Sequence, residues 1–128
     1  MINQKLIFIV DDDPFINKLV VKRFSSDCRR LEAFGYGEEC ISSLNRNPDL
    51  IILDYYFNSN DQKVMNGLEV FDRIKELKPA THVIMLSGQE KGEVVLDLAR
   101  KGIDDYIIKD NNLIDNLNVA IDEVLARE

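Results

Sequence analysis

Short apolar runs alternate with segments of helical spacing along the chain, and this alternation limits the possible folds more than any other feature. Five runs of four or five residues have the apolar character of strands: Leu6–Val10, Leu31–Phe34, Leu50–Leu53, His82–Leu86 and Asp105–Ile108. The intervening segments and the last one carry apolar residues every three or four positions, as amphipathic helices do. These residues are Ile16, Leu19, Val20 and Phe24; Cys40, Ile41 and Leu44; Val70, Phe71, Ile74 and Leu77; Val95, Leu98 and Ala99; and Leu113, Leu117, Ile121 and Val124.

Alternating strands and helices, with nearly continuous apolar strands, predict an α/β domain with a doubly wound parallel sheet. Right-handed crossovers would place helices on both faces of that sheet. Residues that favour helix ends support this interpretation: Asp13 is a candidate cap before Pro14, Asn66 precedes the third helix, Pro79 follows it and Gly102 ends the fourth.

The composition narrows the classes of function. With 128 residues, 45% of them hydrophobic, the chain has the size of one domain over residues 1–128. A net charge of -7 leaves no basic stripe for a phosphate backbone, so direct nucleic-acid binding is disfavoured and a cation or a basic protein surface is favoured. Cys28 and Cys40 are too few for a disulfide framework or a four-ligand zinc site. There is no signal peptide and no apolar run near the roughly 20 residues of a membrane span, so a cytoplasmic protein without membrane contact is predicted.

Polar residues follow four of the five predicted strands at their carboxyl ends. In a parallel sheet these ends meet at one edge, which is where ligands of such folds collect. The polar residues are Asp11, Asp12 and Asp13 after the first strand, Asp54 after the third, Ser87 after the fourth and Lys109 after the fifth.

Several acids beside a lysine indicate a site for a cation and a phosphate, because an isolated buried carboxylate would be costly. Mg²⁺ fits best, since it prefers carboxylates, waters and phosphate oxygens, and Asp11, Asp12 and Asp54 offer oxygens without a thiolate or imidazole cluster. Lys109 would balance the acids and bind a phosphoryl oxygen, to which Ser87 could donate a hydrogen bond. Asp54 is then the natural nucleophile, because a carboxylate can form an aspartyl-phosphate.

Four motifs at strand ends, in the order "IFIVDDDP", "LIILD", "IMLSG" and "YIIK", resemble those of the bacterial two-component response-regulator receiver domain over essentially the whole chain. The resemblance implies a flavodoxin-like fold with strand order 2-1-3-4-5. It also implies that Asp54 accepts phosphate from a histidine kinase or a histidine phosphotransfer protein. In this family pattern Asp11 and Asp12 hold Mg²⁺, and Ser87 and Lys109 contact the phosphoryl group.

The same resemblance implies a switch and a signalling role. Tyr106 occupies the aromatic switch position: Ser87 would move toward the phosphate and Tyr106 would turn inward. The surface formed by the fourth helix, fifth strand and fifth helix would then change for a downstream protein target. Tyr56 would supply a backbone carbonyl ligand to Mg²⁺. A signalling domain of this kind is no enzyme, beyond its own phosphorylation and autodephosphorylation.

Three departures from the family pattern bear on these expectations. The loop from Asp54 to Gly67 is longer than usual and lacks the usual proline; its polar part, Asn58–Lys63, is expected to be exposed and to adjust kinase or phosphatase access. The sequence "SG" stands where threonine and alanine are commoner, and both replacements are small. Asp110 follows Lys109 where the family usually has a proline in a cis bond; a non-proline cis bond costs about 2.5–4 kcal/mol, which leaves the trans isomer open.

Other interpretations stand beside the receiver hypothesis. A haloacid-dehalogenase-like phosphatase also uses a strand-end aspartate, Mg²⁺ and a lysine, but needs a second aspartate where this chain has Tyr56. A pseudo-receiver would keep the fold as a binding module without phosphorylation. Tyr106 could also serve only to pack an edge strand, without a switch role. The chain ends about one helix after Lys109, so a stand-alone receiver or a fragment of a longer protein is expected.

Overall fold

The computed structural model describes residues 4–55, 65–88 and 92–127, and strands and helices alternate through them. The strands are β1 (Lys5–Val10), β2 (Arg29–Phe34), β3 (Leu50–Asp54), β4 (His82–Ser87) and β5 (Asp105–Ile108). The helices are α1 (Pro14–Phe24), α2 (Gly37–Ser42), α3 (Gly67–Leu77), α4 (Gly92–Lys101) and α5 (Leu113–Leu125), with a 3-10 helix at Leu44–Arg46. No helix in these ranges is long and apolar enough to cross a membrane.

The strands form one parallel sheet in the order β2-β1-β3-β4-β5, which confirms the predicted flavodoxin-like topology. The register aligns the carboxyl ends of the strands. Val10 lies opposite Leu53, Asp54 lies opposite Leu86, and Ser87 lies opposite Ile108. Residues that follow these pairs therefore emerge at the same edge of the sheet, as the sequence predicts.

The sheet is buried on both faces. Neighbouring strand residues point to opposite sides, and helices cover each side. One hydrophobic cluster lies between the sheet and helices α1 and α5; it includes Ile7, Ile9, Leu50, Ile52, Ile84, Val20, Leu117 and Ile121. The other lies between the sheet and helices α2, α3 and α4; it includes Phe8, Val10, Ile51, Leu53, Met85, Cys40, Phe71, Ile74 and Leu98. Each fully buried aliphatic or aromatic side chain contributes about 1.5–3 kcal/mol, so the two clusters hold the strand ends in place.

The helix ends confirm the predicted caps. The Asp13 carboxylate accepts a hydrogen bond from the Phe15 amide at 2.9 Å at the start of α1. Asn66 and Glu69 form a reciprocal capping box at the start of α3. Gly102 ends α4 with a φ of +96°, a conformation that favours glycine. Helices α1 and α3 both begin at the acidic edge of the sheet, so these caps also position the site.

Several element boundaries differ from the sequence prediction. Strand β2 begins at Arg29, two residues early, because Arg29 pairs with Lys5 although its side chain is not apolar. Strands β3 and β4 extend to Asp54 and Ser87, since backbone pairing continues through these polar residues. The second helix breaks after Ser42 and continues as the 3-10 turn.

Candidate functional site

The turn after β1 orients the first acidic side chain of the site. Asp11 is fully buried, and its Oδ1 accepts a hydrogen bond from the Asp13 amide at 2.9 Å. Asp12, between them, is half-buried. Because Asp13 is occupied as the cap of α1, Asp11 and Asp12 are the two acids of this turn that face the site.

Asp54, the last residue of β3, brings a third carboxylate to the same place. It is 2% exposed. One carboxylate oxygen from each of Asp11, Asp12 and Asp54 lies within 4.8 Å of the other two. With bonds of 2.0–2.1 Å, opposite ligands of a single Mg²⁺ ion stand about 4 Å apart, so small shifts would let the three oxygens share one ion.

Lys109, directly after β5, carries the positive charge of the site. Its Nζ lies 2.7 Å from Asp11 Oδ2 and 3.0 Å from Asp54 Oδ1, and its backbone amide donates to Ser87 O at 2.8 Å. Asp11 Oδ2 and Asp54 Oδ1 therefore contact the same ammonium. A set of carboxylate oxygens such as that of Asp11, Asp12 and Asp54 suits Mg²⁺.

Burial and charge shift two pKa values in the site. Burial raises the pKa of Asp11, although the Lys109 ammonium and the Asp13 amide favour the carboxylate. The pKa of Lys109 is raised as well: burial opposes its charge, but the hydrogen bond to Asp11 and the charges of Asp54 and Asp11 outweigh that effect. The lysine is therefore a fixed cation at neutral pH.

Ser87 and Tyr106 lie on neighbouring strands beside this cluster. Ser87 is fully buried at the end of β4, and Tyr106 on β5 is half-buried against the cluster of the α2, α3 and α4 face. Tyr106 also borders a cavity of about 320 Å³ together with Val95, Ala99 and Ile103, between β5 and α4. The structure thus places an aromatic side chain beside open space.

The remaining predicted features have mixed outcomes. Tyr56 and the loop Asn58–Lys63 lie outside the described residues. The Lys109–Asp110 peptide is trans, as the described part of the chain contains no cis peptide bond.

Sequence reasoning missed one polar residue next to the site. Asn17 of α1 is buried and its side-chain amide donates to Asp11 O at 2.8 Å. Its position in the sequence could have identified it. Asn17, Val20 and Phe24 form the buried stripe of α1, where an amide side chain is unusual.

Comparison with known proteins agrees with this geometry. The sequence profile of the response regulator receiver domain matches residues 7–121. The autoinducer 1 sensor kinase/phosphatase LuxN of Vibrio campbellii is 32% identical over 114 residues, which are 87% of this chain and 13% of LuxN. The chain spans 13% to 47% of the length of such curated relatives.

Solved structures show the same fold. The BeF3-activated receiver domain of DrrB, from Thermotoga maritima, superposes with a TM-score of 0.78 at 30% identity, covering 96% of this chain and 98% of that one. The receiver domain of the Francisella response regulator 1452 superposes with a TM-score of 0.82 at 22% identity, covering 97% and 98%.

Proposed function

The chain belongs to the response regulator receiver domain family, and we propose that it accepts a phosphoryl group on Asp54 in a Mg²⁺-dependent reaction. The donor is a phosphohistidine of a histidine kinase or of a histidine phosphotransfer protein in the cytoplasm. The phosphorylated domain signals to a downstream protein target and uses no direct contact with nucleic acid or membrane. Its chemistry is limited to its own phosphorylation and dephosphorylation.

One observation carries this proposal: a buried aspartate shares a lysine with a second acid at the edge where three carboxylates converge. Lys109 Nζ lies within 3.0 Å of both Asp11 and Asp54. A carboxylate so placed has a cationic partner for the charge that a phosphoryl group brings, and two neighbouring acids for the metal.

The chemical step is a displacement at phosphorus. An oxygen of the Asp54 carboxylate forms a bond to phosphorus while the phosphorus–nitrogen bond of the donor breaks, and the imidazole leaves with the electron pair and takes up a proton. Lys109 turns toward the oxygens of the transferred group, because its partner carboxylate is now esterified. Mg²⁺ held by Asp11, Asp12, Asp54 and the Tyr56 carbonyl would neutralise charge on those oxygens.

The switch uses the residues beside the acceptor. A phosphoryl group adds roughly two negative charges, and the Ser87 hydroxyl can donate to it after a short movement. Tyr106 then turns inward and changes the face formed by α4, β5 and α5. The cavity between Tyr106 and α4 gives this side chain room to change position.

Phosphorylation by a small donor tests the function against its rivals. The chain would be incubated with Mg²⁺ and acetyl phosphate, and its intact mass and the released phosphate would be followed. A lasting gain of one phosphoryl group that maps to Asp54 supports the receiver function. Rapid phosphate release without any adduct would indicate a haloacid-dehalogenase-like phosphatase. The absence of both an adduct and phosphate release would indicate a pseudo-receiver.

Replacing Asp12 with alanine is expected to weaken Mg²⁺ binding at least tenfold, or about 1.4 kcal/mol, because a small hard cation tolerates the loss of a carboxylate poorly. A Mg²⁺ titration followed by amide chemical shifts measures the effect. Asp13→Asn is the matched control: it removes the same charge from the same turn but keeps an oxygen that caps α1. Equal affinity in Asp12→Ala and the wild type would contradict the metal assignment.

Mg²⁺ affinity is also expected to fall as the pH is lowered. Burial raises the pKa of Asp11 above the ordinary 3.8, and only the carboxylate form binds the ion. Affinity is therefore full above the raised pKa and lost as the pH falls through it. Titrations at decreasing pH, with circular dichroism to confirm that the fold persists, measure this loss. Unchanged affinity down to about pH 4, near the pKa of an exposed aspartate, would contradict the raised pKa of Asp11.

A further inference from the structure

Asn17 connects the buried side of α1 to the acidic edge of the sheet. Its side chain is 8% exposed, and it lies one helical turn before Val20 in the buried stripe of α1. Its neighbours in this stripe are apolar, so packing alone does not explain an amide here.

The hydrogen bonds of Asn17 reach two strand ends at once. Asn17 Nδ2 donates to Asp11 O at 2.8 Å and to Phe34 O at 3.3 Å. The Asp11 amide also donates to Phe34 O at 3.1 Å. Both backbone groups of Asp11 are therefore fixed: the Asp11 amide bonds to the end of β2, and the Asp11 carbonyl bonds to Asn17.

The carbonyl of Asp11 belongs to the peptide unit that joins Asp11 to Asp12. A peptide unit is planar, so a hydrogen bond that fixes its carbonyl oxygen also fixes the direction in which the next Cα leaves. The Asp11 carboxylate is restrained separately by the Asp13 amide and Lys109. The Asn17 bond therefore governs where Asp12 lies relative to Asp11.

We propose that Asn17 is a positioning residue that sets the relative placement of the Asp11 and Asp12 carboxylates, and hence the affinity of the site for Mg²⁺. This inference rests on the proposed function, because it takes the two acids as metal ligands. Within the described ranges, the hydrogen bonds of the Asn17 side chain go to backbone carbonyls and to neither carboxylate.

The second polar atom of Asn17 supports the same role. Asn17 Oδ1 is buried, and no donor among the described residues reaches it. Leaving a buried acceptor unsatisfied is unfavourable, and an apolar residue of similar size would avoid that cost. The amide is therefore best explained by what its nitrogen donates to.

The test compares Mg²⁺ affinity and stability in matched variants of α1. Asn17→Leu keeps the size of the side chain and removes the donor, and we expect it to weaken Mg²⁺ binding about tenfold. Val20→Ala is the control: it opens a cavity one turn further along the same stripe and is expected to lower stability while keeping wild-type affinity. Mg²⁺ titrations followed by amide shifts, with thermal unfolding of each variant, give both quantities.

The outcomes separate this inference from the function on which it rests. Wild-type affinity in Asn17→Leu, or an equal loss of affinity in Val20→Ala, would overturn the positioning role and leave the metal site standing. Absence of Mg²⁺ binding by the wild type itself would overturn both. If the leucine variant does not fold, Asn17→Ser replaces it, since the shorter hydroxyl cannot span both carbonyls and the same loss of affinity is expected.

Discussion

Asp54→Asn is expected to abolish the response of the domain to beryllofluoride, a phosphoryl mimic, completely. In the wild type with Mg²⁺, beryllofluoride should shift the amide resonances of Ser87, of α4 and of Tyr106, because Ser87 and Lys109 meet the new group with charge-assisted hydrogen bonds. Asparagine fills the same space but offers no carboxylate oxygen to carry the mimic. Two-dimensional NMR of both proteins, with and without the mimic, measures the response.

The matched control for this experiment is Asp110→Asn. Asp110 is an exposed acid next to Lys109, and its carboxylate accepts from the Asn112 amide at 2.8 Å, a bond that asparagine can keep. This variant loses one charge near the site and should respond as the wild type does. A response in Asp54→Asn, or shifts confined to residues that touch the metal, would show that the switch is wrongly assigned.

Gly67→Ala is expected to destabilise the fold by about 2–3 kcal/mol, the upper range for overpacking, and to lower Tm by roughly 8–12 °C at about 4 °C per kcal/mol. A Cβ on Gly67 would lie 2.5 Å from Tyr55 O and 2.6 Å from Tyr55 Cα, and it would also clash with Asp54 O. These are backbone atoms at the end of β3, so no side-chain rotation relieves the contact. Thermal unfolding followed by circular dichroism measures the loss.

Two other glycines calibrate that result. Gly92→Ala places a Cβ with no atom of the described residues within 4 Å and should leave Tm nearly unchanged. In Gly37→Ala the new Cβ would clash with the side chain of Val70. The loss of stability caused by Gly37→Ala should therefore be smaller in a protein that also carries Val70→Ala. A Gly67→Ala protein as stable as Gly92→Ala would mean that the start of α3 is free to move away from β3.

The acidic edge could be predicted from sequence because it depends on a simple regularity. Parallel strands end at one edge, so Asp11, Asp54 and Lys109, each at a strand end, were expected at the same edge of the sheet. The strand order was carried by the family motifs, since alternation of strands and helices alone fits several orders. The caps at Asp13 and Asn66 were predictable for a local reason, as capping depends on residues two or three positions away.

The contacts that fine-tune the site could not be predicted in this way. The bonds of Asn17 join residues 6 and 17 positions apart, and only the packed arrangement of α1 against both strands creates them. The start of β2 at Arg29 was missed because pairing with Lys5, rather than side-chain hydrophobicity, holds it in the sheet. The sharing of one ammonium between Asp11 and Asp54 likewise depends on distances that spacing along the chain does not encode.

The ammonium that Asp11 and Asp54 share has a consequence for how the site would bind a metal ion. The chain carries its own tethered counterion, so the acids of the edge are partly neutralised before any ion from solution arrives. If the site binds Mg²⁺ as proposed, the ion and the lysine would contact the same oxygens, so loading would be a competition between the two cations. At low free Mg²⁺ the ammonium would stay on these oxygens, and the domain would be charged with phosphate less readily.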